Sequence, residues 1–228
     1  MSGGVSSEAP KDIPQENPIP PNKPRFFLLT LRHYTCLTIA IFLSSIEAVS
    51  FQDMAFAIFS ISYTIILSKV AFPLINSTPT TRVIKKDSKW LTSYAKVSAI
   101  IGLLLPIGYI FGGILEGDKE GIKFAAPHLF LTCCQVFLEG IFFSSQFSLP
   151  IGAFVPVFYN TRRIFTLVDW VRDEFGKEGN MCSLWRLHVG RGIAVANLGF
   201  WCFNLFGFLL PVFLPLVFKQ YHGYKAKD

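Results

Sequence analysis

Charge is what this sequence has least of. Asp, Glu, Lys and Arg make up 16% of the chain, against about 25% in ordinary soluble domains. A chain of 228 residues that is 51% hydrophobic has too little polar surface to cover one soluble core. Catalytic signatures are missing as well. His33, His128, His188 and His222 are scattered over different segments. There is no HExxH pair, no phosphate-binding loop and no Ser-His-Asp order, so hydrolase and nucleotide chemistry lose their usual carriers. Cys36, Cys133, Cys134, Cys182 and Cys202 are odd in number, and none makes a CxxC or zinc spacing. A disulfide framework and a metal centre are therefore set aside, and no cofactor is expected. No internal repeat is evident, which removes the usual mark of an inverted-repeat transporter.

What the chain does have is long uncharged stretches. Ile193 to Phe218 carries no charged residue and stops at Lys219. About 20 apolar residues in a helix cross a hydrocarbon core of about 30 Å. Reading the other runs the same way gives an all-α integral membrane protein with about five transmembrane helices. They are Tyr34 to Phe51, Met54 to Leu74, Lys96 to Leu115, Ala125 to Phe147 and Ile193 to Phe218. Residues 1–33 hold Pro10, Pro14, Pro18, Pro20, Pro21 and Pro24 and read as a disordered tail with no cleavable signal. Residues 219–228 form a short polar tail.

Ser148 to Tyr159, SLPIGAFVPVFY, is apolar but too short to span, and Pro150 and Pro156 interrupt a helical pattern. It reads as a re-entrant loop or an interfacial extension of the fourth span. If it crosses, the C-terminus changes side. Asn160 to Phe175 has Ile164, Leu167, Val168, Val171 and Phe175 at helical spacing, with charged residues between them. This suits an amphipathic helix lying on the leaflet with Trp170 at the interface. Arg162 and Arg163 are then candidates for contact with anionic lipid headgroups.

Five spans place the N-terminal tail, the loop after the second span and the loop after the fourth on one side. Most Lys and Arg fall in these three segments, so the positive-inside rule expects a cytoplasmic N-terminus and, with five crossings, an outer C-terminus. The net charge of +6 comes from short membrane-adjacent groups and does not point to nucleic acid.

Four intramembrane polar residues are candidates for function: Glu47, Lys69, Glu139 and Asn204. A carboxylate in hydrocarbon needs a partner and a bundle interior, whether for a relay or a structural bond. By depth, Glu47 lies about 20 Å from the cytoplasmic end, near Asn204 at about 18 Å. Glu139 lies about 12 Å from that end, within reach of Lys69. The expected pairs are Glu47 with Asn204 and Lys69 with Glu139. Gly108 and Gly112 form a GxxxG pair beside Pro106, suited to close helix packing within the chain.

The stretches EGDKEGIKFAAPHLFL (Glu116 to Leu131), QVFLEG (Gln135 to Gly140) and SLPIGAFVPVFYNTRRIFTLVDW (Ser148 to Trp170) resemble a plant family of uncharacterised multi-pass transmembrane proteins. The resemblance implies a membrane protein with no catalytic residue to carry over. The functional expectation is a membrane scaffold or a protein that meets lipid or protein partners, including a second copy, and not an enzyme. The alternative is a small-solute or ion transporter working through Glu47 and Glu139.

Overall fold

A computed structural model describes residues 30–74, 89–143, 146–177 and 184–225. Six helical rods account for its regular structure, with no strand among the described residues. They are α1 (Leu31–Ser45), α2 (Phe51–Val70), α3 (Lys89–Ala99) running through π1 (Ile100–Leu104) into α4 (Leu105–Glu116), α5 (Lys119–Phe142), α6 (Leu149–Gly176), and α7 (Leu184–Cys202) running through π2 (Phe203–Phe213) into α8 (Leu214–Lys225). The N-terminal tail expected to be disordered, and Cys182, lie outside the described residues.

Four rods are long and apolar enough to cross a membrane: Phe51–Val70, Thr92–Glu116, Lys119–Phe142 and Leu184–Gly223. The expected first span is not among them. α1 has 15 residues and ends at Ser45, with Ile46 as its C-cap, and the chain turns through Glu47, which sits at φ 55°. Ser50 then caps α2 by accepting from the Asp53 backbone N–H at 3.2 Å.

The largest departure is α6. The segment that looked too short and too proline-rich is one helix of 28 residues. Pro150 falls in its first turn, where the missing N–H is an orphan in any case. Pro156 removes one internal bond, and the Asn160 side chain donates back to the Pro156 carbonyl at 2.7 Å. Trp170, expected at the membrane interface, is fully buried, as are Tyr159 and Leu167. The helix packs against α2, α5, α7 and α8. Apolar burial does not drive association between helices in lipid, so close packing and polar contacts must hold them. Small residues supply the close approach. A Cβ on Gly140 would meet the His33 ring at 2.7 Å, and one on Gly152 would meet Phe143 at 2.7 Å.

Pairings along the rods give the bundle two ends. At the first, His33 packs on Gly140 near the end of α5, Ser148 Oγ donates to the Phe72 carbonyl at 2.8 Å, and Tyr221 OH donates to the Pro73 carbonyl at 3.1 Å. At the other, Arg186 meets Asp118 at 2.9 Å. The α4–α5 loop and the start of α7 therefore share one end. The alternation expected from five spans put them on opposite sides. α6 runs the length of the bundle between the two ends.

Candidate functional site

Polar side chains from four rods meet around α6, and Arg163 is the centre. It is 0% exposed. Its Nη2 donates to Gln135 Oε1 at 2.5 Å, and Gln135 Nε2 donates to Glu139 Oε1 at 2.7 Å. The buried cation is thus linked through an amide to a carboxylate one turn away on α5. On its other side Arg163 Nη1 lies 3.4 Å from Asn160 Oδ1, which also accepts from Asn204 Nδ2 at 3.2 Å. Tyr94 OH donates to Asn204 Oδ1. The result is an unbroken row: Glu139, Gln135, Arg163, Asn160, Asn204, Tyr94. The guanidinium also lies over the Trp201 ring, 4.1 Å from its centroid, where the ring face attracts a desolvated cation.

The π segments explain how the row is assembled. Pro106 has no N–H to bond the carbonyl of Gly102 four residues earlier. His128 Nε2 donates to that carbonyl instead, at 3.2 Å. His128 is fully buried between the Trp170 and Trp201 rings. Gly102 is pressed against Trp201, and a Cβ there would collide with the indole. Asn204 is the second residue of π2, and its side chain donates to Asn160. π-helical turns are frequent at functional sites, and here the 11-residue π2 carries one member of the buried polar row, Asn204.

A second cluster closes the other end of the bundle. Arg186 Nε donates to Asp118 Oδ2 at 2.9 Å and its Nη1 to the Tyr109 carbonyl at 3.3 Å, with the guanidinium over the Tyr109 ring. Tyr109 OH donates to Glu174 Oε1. Lys177 Nζ meets Glu174 at 2.7 Å, Asp173 at 3.0 Å and Asp118 at 4.0 Å. Arg191 Nε donates to the Glu174 carbonyl at 2.9 Å. Burial works against the Asp118 carboxylate, but the Gly121 N–H, the Arg186 hydrogen bond and the nearby Lys177 charge outweigh it and hold its pKa below the ordinary value. Burial likewise opposes the Lys177 charge, and Glu174 and Asp173 more than offset it, so that pKa is raised.

The residues singled out from sequence fall in different places. Glu139 and Asn204 both belong to the row, the first at one end and the second next to the other, but not with the partners expected: Glu139 accepts from Gln135, and Asn204 bonds Asn160 and Tyr94. Glu47 is exposed in the α1–α2 turn, away from Asn204. Lys69 is exposed in the last turn of α2. Arg163, expected at headgroups, is buried inside the bundle. Arg162 is bound across to α2 by Asp53, with Nε 2.8 Å from Oδ1. Sequence reasoning missed Gln135, Asn160, Tyr94, His128 and Asp53. The one available signal was spacing: Asn160, Arg163 and Trp170 recur on one helical face.

Fold and site together define an all-helical protein with four rods able to cross a membrane and an arginine held in its interior by uncharged amides. Residues 29–222 match the domain of unknown function DUF7733. The chain belongs to that family. It has no match among curated proteins or among solved structures.

Proposed function

We propose that this chain is a multi-pass integral membrane protein that works as a scaffold: it holds a fixed helical surface in the bilayer for lipid and protein partners and carries out no catalysis. One observation supports the reading above the transport alternative. The polar row around Arg163 runs through the amides of Gln135, Asn160 and Asn204. Amide side chains do not titrate, so they tie helices together but do not hand on protons. Glu47, the other carboxylate proposed for transport, sits in an exposed turn outside the row.

The same proposal sets the orientation. Arg32, Lys89 and Lys219 lie toward the first end of the bundle, and Lys23, Arg25, Arg82, Lys85, Lys86, Lys225 and Lys227 fall in or beside the segments that leave it. The opposite end holds fewer basic residues: Lys119, Lys123, Arg172, Lys177, Arg186 and Arg191. The positive-inside rule then puts both the N-terminal and the C-terminal segments in the cytoplasm.

Flux measurement tests the functional reading. The protein is reconstituted into liposomes holding a pH-sensitive dye, and decay of an imposed proton or potassium gradient is followed. Decay equal to that of protein-free liposomes is expected. A protein-dependent flux abolished by Glu139→Gln would overturn the scaffold in favour of the transporter.

A further inference from the structure

α1 and α5 run antiparallel and in close register. His33 packs on Gly140 at the first end of the bundle. Further along, Ser44 and Phe130 line one outer groove together with Leu37 and Cys134. Between these two points α1 presents Cys36 and α5 presents Cys133. Both are buried, and both are free thiols. The two side chains interact directly across the helix contact. Leu37 and Cys134, each next in sequence to one of the pair, lie on the groove wall. The pair therefore sits one residue beneath the outer surface.

A single buried cysteine packs as a small hydrophobe. Two in contact also hold the atoms of a disulfide, which needs their Cβ atoms about 3.8 Å apart. The two come from distant parts of the sequence, so no local spacing such as CxxC announces them. Their setting gives such a bond a consequence. α1 packs chiefly on α5, so the contact that brings the thiols together is the one that anchors α1. A helix held mainly by one neighbour opens locally at low cost, and that opening uncovers both sulfurs at once. Ile41 and Phe42, beside the groove, are exposed, so the side from which a reagent arrives is the one that meets hydrocarbon.

We propose that Cys36 and Cys133 form a reversible oxidation site, at which a hydrocarbon-soluble hydroperoxide converts the two thiols to a disulfide that fastens α1 to the bundle. One peroxide oxygen passes to the first sulfur as a sulfenic acid, and the peroxide leaves as its alcohol. The second thiol then displaces water from that sulfur and closes the S–S bond. A dithiol reductant reverses the reaction by exchange. The inference does not depend on the choice between scaffold and transporter, and its test involves no flux. Reduced full-length protein in phosphatidylcholine nanodiscs is treated with cumene hydroperoxide. Remaining thiols are blocked with a maleimide in denaturant, and the chain is digested without reductant. Mass spectrometry should find the Cys36 peptide joined to the peptide that holds Cys133 and Cys134, with fragmentation placing the bond at Cys133. Dithiothreitol should separate the two. The oxidised protein should melt roughly 10 °C above the reduced one, because the bond closes a long loop. Cys133→Ala should abolish both the linked peptide and the gain, and Cys134→Ala should keep both. Cys36 recovered as its maleimide adduct while Cys134 is oxidised would overturn the proposal. So would a bond placed at Cys134, or a disulfide between two copies of the chain, seen as a band of twice the mass on a non-reducing gel.

Discussion

Replacing Arg163 by Met removes the centre of the polar row while keeping most of its apolar stem. The side chain is fully buried and makes the 2.5 Å bond to Gln135, the weaker contact with Asn160, and the cation–π contact with Trp201 at 4.1 Å. Gln135 then loses the donor to its oxygen, and Glu139 loses the charge that balances it through the amide. Taking one partner from a buried ionic set costs about 3–5 kcal/mol, because the other charge stays behind. For a chain of this size that corresponds to a fall in melting temperature of roughly 6–20 °C. The buried thiols make the measurement direct. Cys36 and Cys133 are 2% and 0% exposed, so a thiol-reactive fluorescent dye reports unfolding in detergent. The double variant Arg163→Met with Glu139→Gln separates charge from shape. With both charges gone, replacement of a buried ionic set is often close to neutral, and at least about half of the lost stability should return. An Arg163→Met protein that melts with the wild type would refute the burial of this arginine. A double variant no better than the single would refute the coupling of Arg163 to Glu139.

Asp118 has a folded pKa below its ordinary value, so its contribution is complete above that ordinary value and disappears as pH falls through the folded one. Stability should therefore decline below about pH 4. In Asp118→Asn that decline should flatten, with a loss of about 1–3 kcal/mol at neutral pH from the buried Arg186 left short of an acceptor; thermal unfolding across pH 3–7 reads both, and an unchanged acid limb would count against the Asp118–Arg186 bond. Glycosylation acceptor sites placed between Glu116 and Gly121 and within 178–183 should both be modified in microsomes, while sites in the N-terminal segment and after Lys225 should not. Modification of only one of the two loops would return the chain to an odd number of crossings.

Helical class and apolar rods were legible because they depend on local composition alone. α7, π2 and α8 carry the uncharged run Ile193 to Phe218, which is long and apolar enough to cross a membrane. α6 was not legible, and the reason is physical. A hydropathy window assigns each charge its cost in isolation, whereas Arg163 and Glu174 are accommodated by Gln135, Tyr109 and Lys177 from elsewhere in sequence or further along the same helix. Pro156 likewise reads as a break in sequence, although packing on all sides keeps the helix continuous. Glu47 was misplaced because Ile46 to Phe51 contains neither Gly nor Pro. Nothing in that stretch marks a turn, which a non-glycine residue makes at positive φ. Depth counted along an assumed straight span then carried the error into the expected pairing with Asn204.

α1 starts and α8 finishes at the same end of the bundle, a position fixed by His33 on Gly140 and Tyr221 on Pro73. The proline-rich segment ahead of Thr30 and the lysine-bearing segment after Tyr221 therefore leave from one face. A partner that grips one of them is held near the other, and the second contact forms within a single complex instead of from solution. Two weak attachments on one face add their free energies in this way, so this geometry gives the chain a route to avid assembly that neither segment has alone.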